Sequence, residues 1–508
     1  MPPTDVLIAG AGPTGLVLAL WLIKLGGKVR IIDKTAEPGT TSRALAVQAR
    51  TLELYRQIDL ADAVVARGHR VPAGNFWVKG ERKATISLRD LGAGLTPYPF
   101  MQIFPQDEHE KLLIERLAAF GVTVERRAEL LSLTEKPDGV TARLRDADGN
   151  LQDCETRYLA GCDGARSKVR ELIGTGFPGG TYPHTFYVAD IEAAGRALDG
   201  ELHVDLDEAD FLAIFPLASS GRARLIGTVR GERAQRVDAL TFADISERAI
   251  HNMKIEVAKV NWFSTYHVHH RVAQHFRTGR VFLAGDAAHI HSPAGGQGMN
   301  TGIGDAINLA WKLAAVLKGR ATDALLDSYE TERIGFARRL VATTDRVFTF
   351  ATGEGELANF VRTKVAPIVI PAAFSLPAVR KFAFRTVSQT MLNYRGSPLS
   401  RGKAGRVRGG DRLPWVKTTD ADNFSPLVAM DWQIQVFGSA SPEVVAWCAR
   451  RGLPLNVFAW QAECATAGLA RDAVYLVRPD TYVALADPSG GASALTRYFA
   501  ELAIKPVP

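Results

Sequence analysis

The chain has 508 residues, 46% of them hydrophobic and 23% charged, so it is too long for one ordinary domain and can bury a substantial core. Its formal charge of +7 comes from Lys and Arg dispersed among acidic residues, which excludes a basic nucleic-acid footprint and suits anionic small molecules. Cys154, Cys162, Cys448 and Cys464 match neither a zinc site nor a CxxC pair, and are expected to be free thiols in a reducing, cytoplasmic compartment.

Residues 6 to 23 carry no charge, yet they do not read as a membrane span or signal peptide. Glycines and Pro13 break the first half, no basic region precedes it, and Lys24 and Lys28 follow at once. The run divides instead into a βαβ unit. Residues 5 to 9 form a buried strand, Gly10, Gly12 and Gly15 punctuate a turn, Leu16 to Lys24 form an apolar helix, and Val29 to Asp33 return as a strand.

Further along, Gln106 opens a helical pattern that reaches Phe120. Two strand-like runs then flank a turn at Asp148-Gly149 and lead into Asp163-Gly164. From about 180 to 270 the texture becomes alternating strands with aromatics, including FLAIFPL and RARLIGTV. The strand RVFLAG follows, then GDAAHIHSPAGGQGMNTGIG and a helix from Asp305 to Leu317. Residues 321 to 394 read as helices interrupted by Pro367, Pro371 and Pro377. Glycine-rich, basic residues 395 to 415 read as a linker, and the last hundred residues as a small α/β unit with helices at Pro442 to Arg451 and Gly491 to Leu502. The expected division is 1–180 and 271–345 for the two parts of a dinucleotide-binding domain, 181–270 for an inserted substrate sheet, 346–394 for a helical segment and 395–508 for linker and terminal domain.

The glycines have separate tasks. Gly10 permits a tight turn, Gly12 lets backbone approach a pyrophosphate, and Gly15 lets helix and strand pack closely. The helix N-terminus then faces the phosphates, with Pro13 and Thr14 in the turn before it as further cofactor-binding candidates. Asp33, with Lys34 beside it, ends the second strand where a carboxylate can accept from ribose hydroxyls. A nicotinamide alone would not need the second element. Gly285 and Asp286 are placed to bind a polyol, and the small residues from Pro293 to Asn300 offer backbone amides to a flavin ring.

These motifs, with the segment GCDGARSKVR, resemble the single-component, FAD-dependent aromatic hydroxylases, the class A flavoprotein monooxygenases. Within them the chain is most similar to the phenol hydroxylase and pentachlorophenol monooxygenase branch. The resemblance implies an α/β fold: a Rossmann-type FAD-binding domain, an inserted mixed or antiparallel substrate sheet, a helical segment and a C-terminal thioredoxin-like domain. It implies FAD, NADPH or NADH as reductant, O2 and a small electron-rich aromatic substrate hydroxylated through a flavin C4a-hydroperoxide. A homodimer without stable membrane association is expected.

By the same resemblance, Asp163, Gly164 and Arg166 serve FAD and the nicotinamide, Arg43 lies by the cofactor, and Gln106 meets the ribityl chain. Asp286 is the GD aspartate, Pro293 lies beside the isoalloxazine, and Gly298, Met299 and Asn300 supply backbone contacts. Phenol hydroxylase-like relatives carry an aspartate just before the QxRT stretch, but the matching place in ALAVQART, near Leu45, holds no acid. His203, Phe211, Phe215 and Tyr187 are the pocket candidates, with His203 as a candidate base and packing as its alternative. The terminal unit lacks the CxxC of a redox thioredoxin and is expected to be structural. Two rivals stay open: another flavin oxidoreductase on the same scaffold, such as a polyketide- or antibiotic-modifying oxygenase, and a non-catalytic flavin-fold binding protein. The WxWxIP signature of halogenase relatives is missing.

Overall fold

The computed structural model describes residues 4–39, 44–206, 211–217, 221–229, 240–245, 247–292, 294–352, 356–417 and 421–506. The opening strand Thr4–Ala9 forms where expected, the helix Pro13–Lys24 begins ahead of the expected Leu16 and takes Gly15 into its first turn, and Val29–Asp33 returns parallel to the first strand. This helix is apolar on nearly every side because it is buried on nearly every side: Leu16, Val17, Leu18, Trp21 and Leu22 are fully enclosed. Each such side chain contributes about 1.5–3 kcal/mol relative to exposure.

The first sheet runs Arg277–Thr278, Val281–Leu283, Leu151–Gly161, Thr4–Ala9, Val29–Asp33, Glu125–Arg126, with Glu129–Lys136 and Gly139–Arg145 joined to one side. The middle strands are parallel and in register, Ala9 opposite Gly161 and Gly161 opposite Leu283. The expected hairpin is present, with Arg145 opposite Leu151 across its turn.

The second sheet lies apart. Its order is His289–Ile290, Ile255–Val272, Gly179–Gly195, Arg222–Val229, Leu212–Pro216, Leu202–Asp205, Ala73–Val78, Glu81–Ser87. It is therefore not confined to 181–270: Ala73–Val78 joins it by parallel pairing with Leu202–Asp205, and Glu81–Ser87 pairs with Ala73–Val78. Long-range pairing of this kind leaves no periodic signal in the local sequence.

The helices Asp327–Thr352, Ala366–Phe374 and Pro377–Val387 occupy the predicted helical segment. Pro367 lies in the first turn of Ala366–Phe374 and Pro377 opens its helix, positions that need no backbone donor, whereas Pro371 is carried inside Ala366–Phe374. Among the described residues no single helix is long and apolar enough to cross a membrane.

In the terminal unit, Gln433–Phe437 pairs parallel with Leu455–Phe458 across the helix Pro442–Arg451. Val474–Val477 and Val483–Asp487 add antiparallel strands, and the expected linker supplies two more, Arg401–Ala404 parallel to Val483–Asp487 and then Val407–Arg408, so the order is 455–458, 433–437, 474–477, 483–487, 401–404, 407–408. Its core is shared with the first unit, since Trp311 and Leu325 pack with Trp432 and Tyr498.

Candidate active site

Three loops leave the carboxyl ends of adjacent parallel strands: Gly10 to Gly12 after Thr4–Ala9, Cys162 to Gly164 after Leu151–Gly161, and Gly285 to Ala287 beyond Val281–Leu283. Segments far apart in sequence thus meet where ligands bind in open α/β sheets. Gly10 has φ +104, and a Cβ there would come within 2.3 Å of the Cys162 carbonyl oxygen. A Cβ on Gly15 would lie 2.0 Å from the Gly10 oxygen. Gly12 differs: its backbone is ordinary extended chain, and a Cβ there would meet nothing within 4 Å, so a side chain would project into open space before the helix N-terminus.

Asp33 Oδ2 accepts from the Ala11 amide at 2.7 Å, and Oδ1 accepts from the Thr35 amide at 2.8 Å, which fixes the carboxylate beside the glycine turn. Lys34 is exposed. Asp163 Oδ2 accepts from the Lys168 and Val169 amides at 2.6 and 3.1 Å, while its Oδ1 is buried with no partner among the described residues. Ser292 Oγ is in the same condition. Orphaned buried acceptors of this kind fit a ligand that brings donors. Asp286 is exposed on the short turn Gly285–Ala287. A cradle at Gly12, orphaned polar atoms at Asp163 and Ser292 and an exposed Asp286 together fit a flavin dinucleotide.

Gly164 takes φ +79 with open space at its Cβ position. Arg166 is exposed, and the arginine that ties the loops is Arg170: it donates to the Ala287 and Ala165 oxygens at 2.9 and 2.7 Å and stacks 3.8 Å over Phe177. Gln106 donates to Glu110 at 2.8 Å at the start of the helix Gln106–Ala119. Arg43 and Pro293 lie outside the described residues.

The helix Gly298–Leu317 starts about two turns before Asp305. Glycines disfavour a helix by propensity, but packing overrides them: a Cβ on Gly302 would sit 2.4 Å from Thr14 Oγ1, so the helices Pro13–Lys24 and Gly298–Leu317 touch there. Asp305 is thereby interior and fully buried, and it accepts from the Gly285 amide at 3.0 Å and from Arg333 Nε at 2.5 Å, with His289 Nε2 at 2.7 Å. Burial alone would lift its carboxyl; Arg333 and His289 hold it below the ordinary range.

Asn300 works through its side chain as well as its place in the first helical turn. Its amide nitrogen donates to the Ala46 and Gly296 oxygens at 2.8 and 2.9 Å, and its oxygen accepts from Gln48 N at 2.8 Å and Thr51 Oγ1 at 2.7 Å. Gln48 and Gln297 both donate to the Gly295 oxygen, and Gln389 donates to Gln297. The turn at Gly295 and Gly296, both at positive φ, is thus held from three sides. Gly298 and Met299 open the helix beside it, with Met299 half-buried against the core.

Alternation along the strands decides the pocket residues. On one face Phe186 sits between Tyr266 and Thr228, Val188 between Ser264 and Ile226, and Asp190 between Trp262 and Arg224, with Phe215 beyond Arg224. Phe215 and Ile226 pack with Leu45, Ala46 and Ile103 of the first unit, so this face looks toward the cofactor loops. Phe211 has the parity of Phe215 and exchanges hydrogen bonds with Thr228. Buried Arg224 is neutralised by Asp190 at 2.5 and 2.7 Å.

Tyr187 and His203 belong to the opposite face. Tyr187 stacks on Phe263 in a separate core cluster. His203 is wholly buried; its Nδ1 accepts from Trp77 Nε1 at 3.0 Å, which leaves the proton on Nε2 for Asp199 at 2.8 Å. With both ring nitrogens engaged, His203 packs the outer layer and does not line the pocket. Period-two spacing identifies two faces but not which one meets the cofactor.

Sequence reasoning missed Arg170, Asp305, Arg333, Gln297 and Gln389. Arg170, Gln297 and Asp305 stood inside quoted motifs without being singled out, Asp305 only as a helix start; Arg333 and Gln389 had no local signal, because their partners lie far along the chain.

A family model described as FAD binding domain matches residues 3–344. The chain is 38% identical over 443 residues to 6-methylpretetramide 4-monooxygenase of Streptomyces rimosus, covering 83% of this chain and 76% of that relative. It is 32% identical to pentachlorophenol 4-monooxygenase of Sphingobium chlorophenolicum, covering 80% of this chain and 75% of the relative. Among solved structures, anhydrotetracycline hydroxylase from Streptomyces rimosus superposes with a TM-score of 0.76 at 29% identity, covering 99% of both chains.

Proposed function

Because the chain belongs to the FAD-binding family and is an NAD(P)H-dependent flavoprotein monooxygenase of the aromatic hydroxylase class, we propose that its substrate is a flat, uncharged, multi-ring phenol. The observation that carries this reading is the cofactor-facing sheet surface: Phe186, Phe215, Ile226 and Val188 make it broad and apolar, and its buried cation, Arg224, is already matched by Asp190. A carboxylated or phosphorylated substrate would find no free charge on these rows, whereas fused rings gain by burial against them. The relatives that act on tetracycline-type compounds support the larger ring system over the halophenol of the other relative.

Bound FAD, reduced by NAD(P)H, supplies oxygen activation. The chain does the rest. The Gly12 turn and helix N-terminus would hold the pyrophosphate, and the Asp33 carboxylate would hold a ribose. Asp286 would hold the polyol, Asp163 Oδ1 would accept a hydrogen bond from the cofactor, and Asn300 with Gln48 fixes the Gly295-Gly296 turn. The aromatic face excludes water and presents the substrate ring edge. At Leu45, buried against Phe215, the wall is aliphatic, so no carboxylate there draws the phenol proton.

We read the terminal unit as thioredoxin-like from its strand order, without a redox task. The four described cysteines are all buried and free, which supports a cytoplasmic protein, and a homodimer is retained as a proposal. The test is NADPH oxidation by the FAD-loaded protein with phenol, a halophenol, an anthracycline-type phenol and its carboxylated analogue, with product mass measured. A multi-ring neutral phenol is expected to stimulate oxidation and gain one oxygen atom. Stimulation by single-ring or carboxylated phenols alone would sink the substrate assignment while leaving the flavin chemistry intact.

A further inference from the structure

The basic linker that composition marked at 395 to 415 does not pass over the surface as an idle connector. Together with the helix Pro377–Val387, the loop at Gly94-Leu95 and Thr466-Ala467 of the terminal unit, it encloses a cleft of about 330 Å³. Arg385, Arg395, Arg406 and Arg412 all line it, and Asp411 is the one carboxylate among its lining residues.

The four cations are not equivalent. Arg395 forks onto Asp411 at 2.6 and 3.0 Å, and Asp411 also accepts from the Arg408 amide. Arg412 forks onto buried Glu53 and donates to the Leu95 oxygen at 3.0 Å. Among the described residues Arg406 meets no carboxylate: it donates to the Ala465 and Thr466 oxygens, and no described anion compensates its charge. The Arg385 guanidinium has no hydrogen bond or ion pair among the described residues. Partial burial and then Arg412 push its pKa below the ordinary arginine range, Asp411 opposes this and Arg395 adds to it. Like charges gathered in one recess disfavour each other, and an anion entering it removes that cost.

We propose that this cleft binds a phosphate monoester, held by the guanidiniums of Arg385 and Arg406. Two unmatched cations suit a dianion, and planar guanidinium forks match phosphate oxygens. The volume is larger than a bare phosphate needs and admits the organic part of an ester, for which Trp415 in the wall offers an aromatic face. The apolar substrate face and the cofactor loops contribute none of the cleft's lining residues, so the site stands apart from the hydroxylation pocket. The phosphate has two chemical sources, the 2′-phosphate of NADPH or a free phosphate ester.

The test uses the full FAD-loaded chain and calorimetry with adenosine 2′-monophosphate, inorganic phosphate and adenosine. Saturable uptake of both phosphates is expected, weakened by added sodium chloride and about tenfold by Arg385→Gln with the flavin spectrum unchanged. A KM for NADPH that rises in Arg385→Gln while that for NADH stays constant assigns the site to the reductant. Unchanged KM for both, with phosphate uptake lost, assigns it to a free ester. No saturable uptake of either phosphate overturns the proposal, as does adenosine binding as tightly as its monophosphate. Equal uptake by wild type, Arg385→Gln and Arg406→Gln overturns it too, and Arg385→Gln strands no hydrogen-bond partner among the described residues.

Discussion

Arg478 of the terminal unit forks onto Glu332 of the first unit, Nη1 to Oε1 at 2.6 Å and Nη2 to Oε2 at 3.0 Å, with both side chains fully enclosed. Asp480 closes the other side of the guanidinium and also accepts from Trp311 Nε1, while Lys312 donates to Glu332. The network continues toward the cofactor: Arg478 lies 5.4 Å from the Tyr394 ring, and Arg333 joins Tyr394 to Asp305 and so to the Gly285 loop. The terminal unit is thereby bolted to the elements that carry the Gly285 loop.

Arg478→Met should cost about 3–5 kcal/mol of stability, because it strands two buried carboxylates. Denaturant unfolding checks this, and pairing it with Glu332→Gln should recover part of the loss in a double-mutant cycle.

Asp305→Asn should leave secondary structure in place and weaken FAD binding about tenfold or more, since the Gly285 amide and Arg333 lose a charged acceptor worth on the order of 1.5–3 kcal/mol. Flavin release on dilution, followed by fluorescence, is the measurement.

Gly10 and Gly12 should separate folding from cofactor binding. Gly10→Ala forces a Cβ against the Cys162 oxygen at a φ that side chains avoid, so the soluble yield should fall. Gly12→Val meets open space in ordinary backbone, so the protein should fold and be colourless. A yellow Gly12→Val protein would displace the pyrophosphate from this turn.

His109 is buried against Tyr55 and Phe104, and burial pushes its pKa down from 6.5 to about 3. Below pH 6.5 the unfolded chain takes up a proton that the folded chain refuses, so stability falls as pH drops from 6.5 toward 3, by at most about 1.4 kcal/mol per pH unit from this group. His109→Gln should flatten the slope in that window, read as unfolding midpoints against pH.

The two faces of the second sheet predict opposite phenotypes. His203→Asn should lower stability by about 1–3 kcal/mol and leave the pH dependence of turnover unchanged. Phe215→Ala should raise the substrate KM about threefold or more and divert reducing equivalents to hydrogen peroxide, because an aromatic contact and part of the water barrier are lost.

The sequence by itself determined the parts whose chemistry is local. The strand-turn-helix with Gly10, Gly12 and Gly15 shows because each glycine answers a backbone demand within a few residues. Arg222–Val229, Gln106–Ala119 and Pro442–Arg451 show because their periodicity and caps are contained in one short window. Asp163 and Asp286 were legible as motif residues for the same reason.

Tertiary structure alone decided the rest. Whether Tyr187 or Phe186 faces the cofactor depends on which side of a sheet is covered, and that is set by chain packed from elsewhere. The helix from Gly298 overrode its own glycines because Thr14, almost three hundred positions earlier, demanded close approach. Asp305 became a buried anchor, and Arg385 an unmatched cation, only when distant segments closed around them. Burial and charge compensation are properties of neighbours in space, and a linear chain does not list those neighbours.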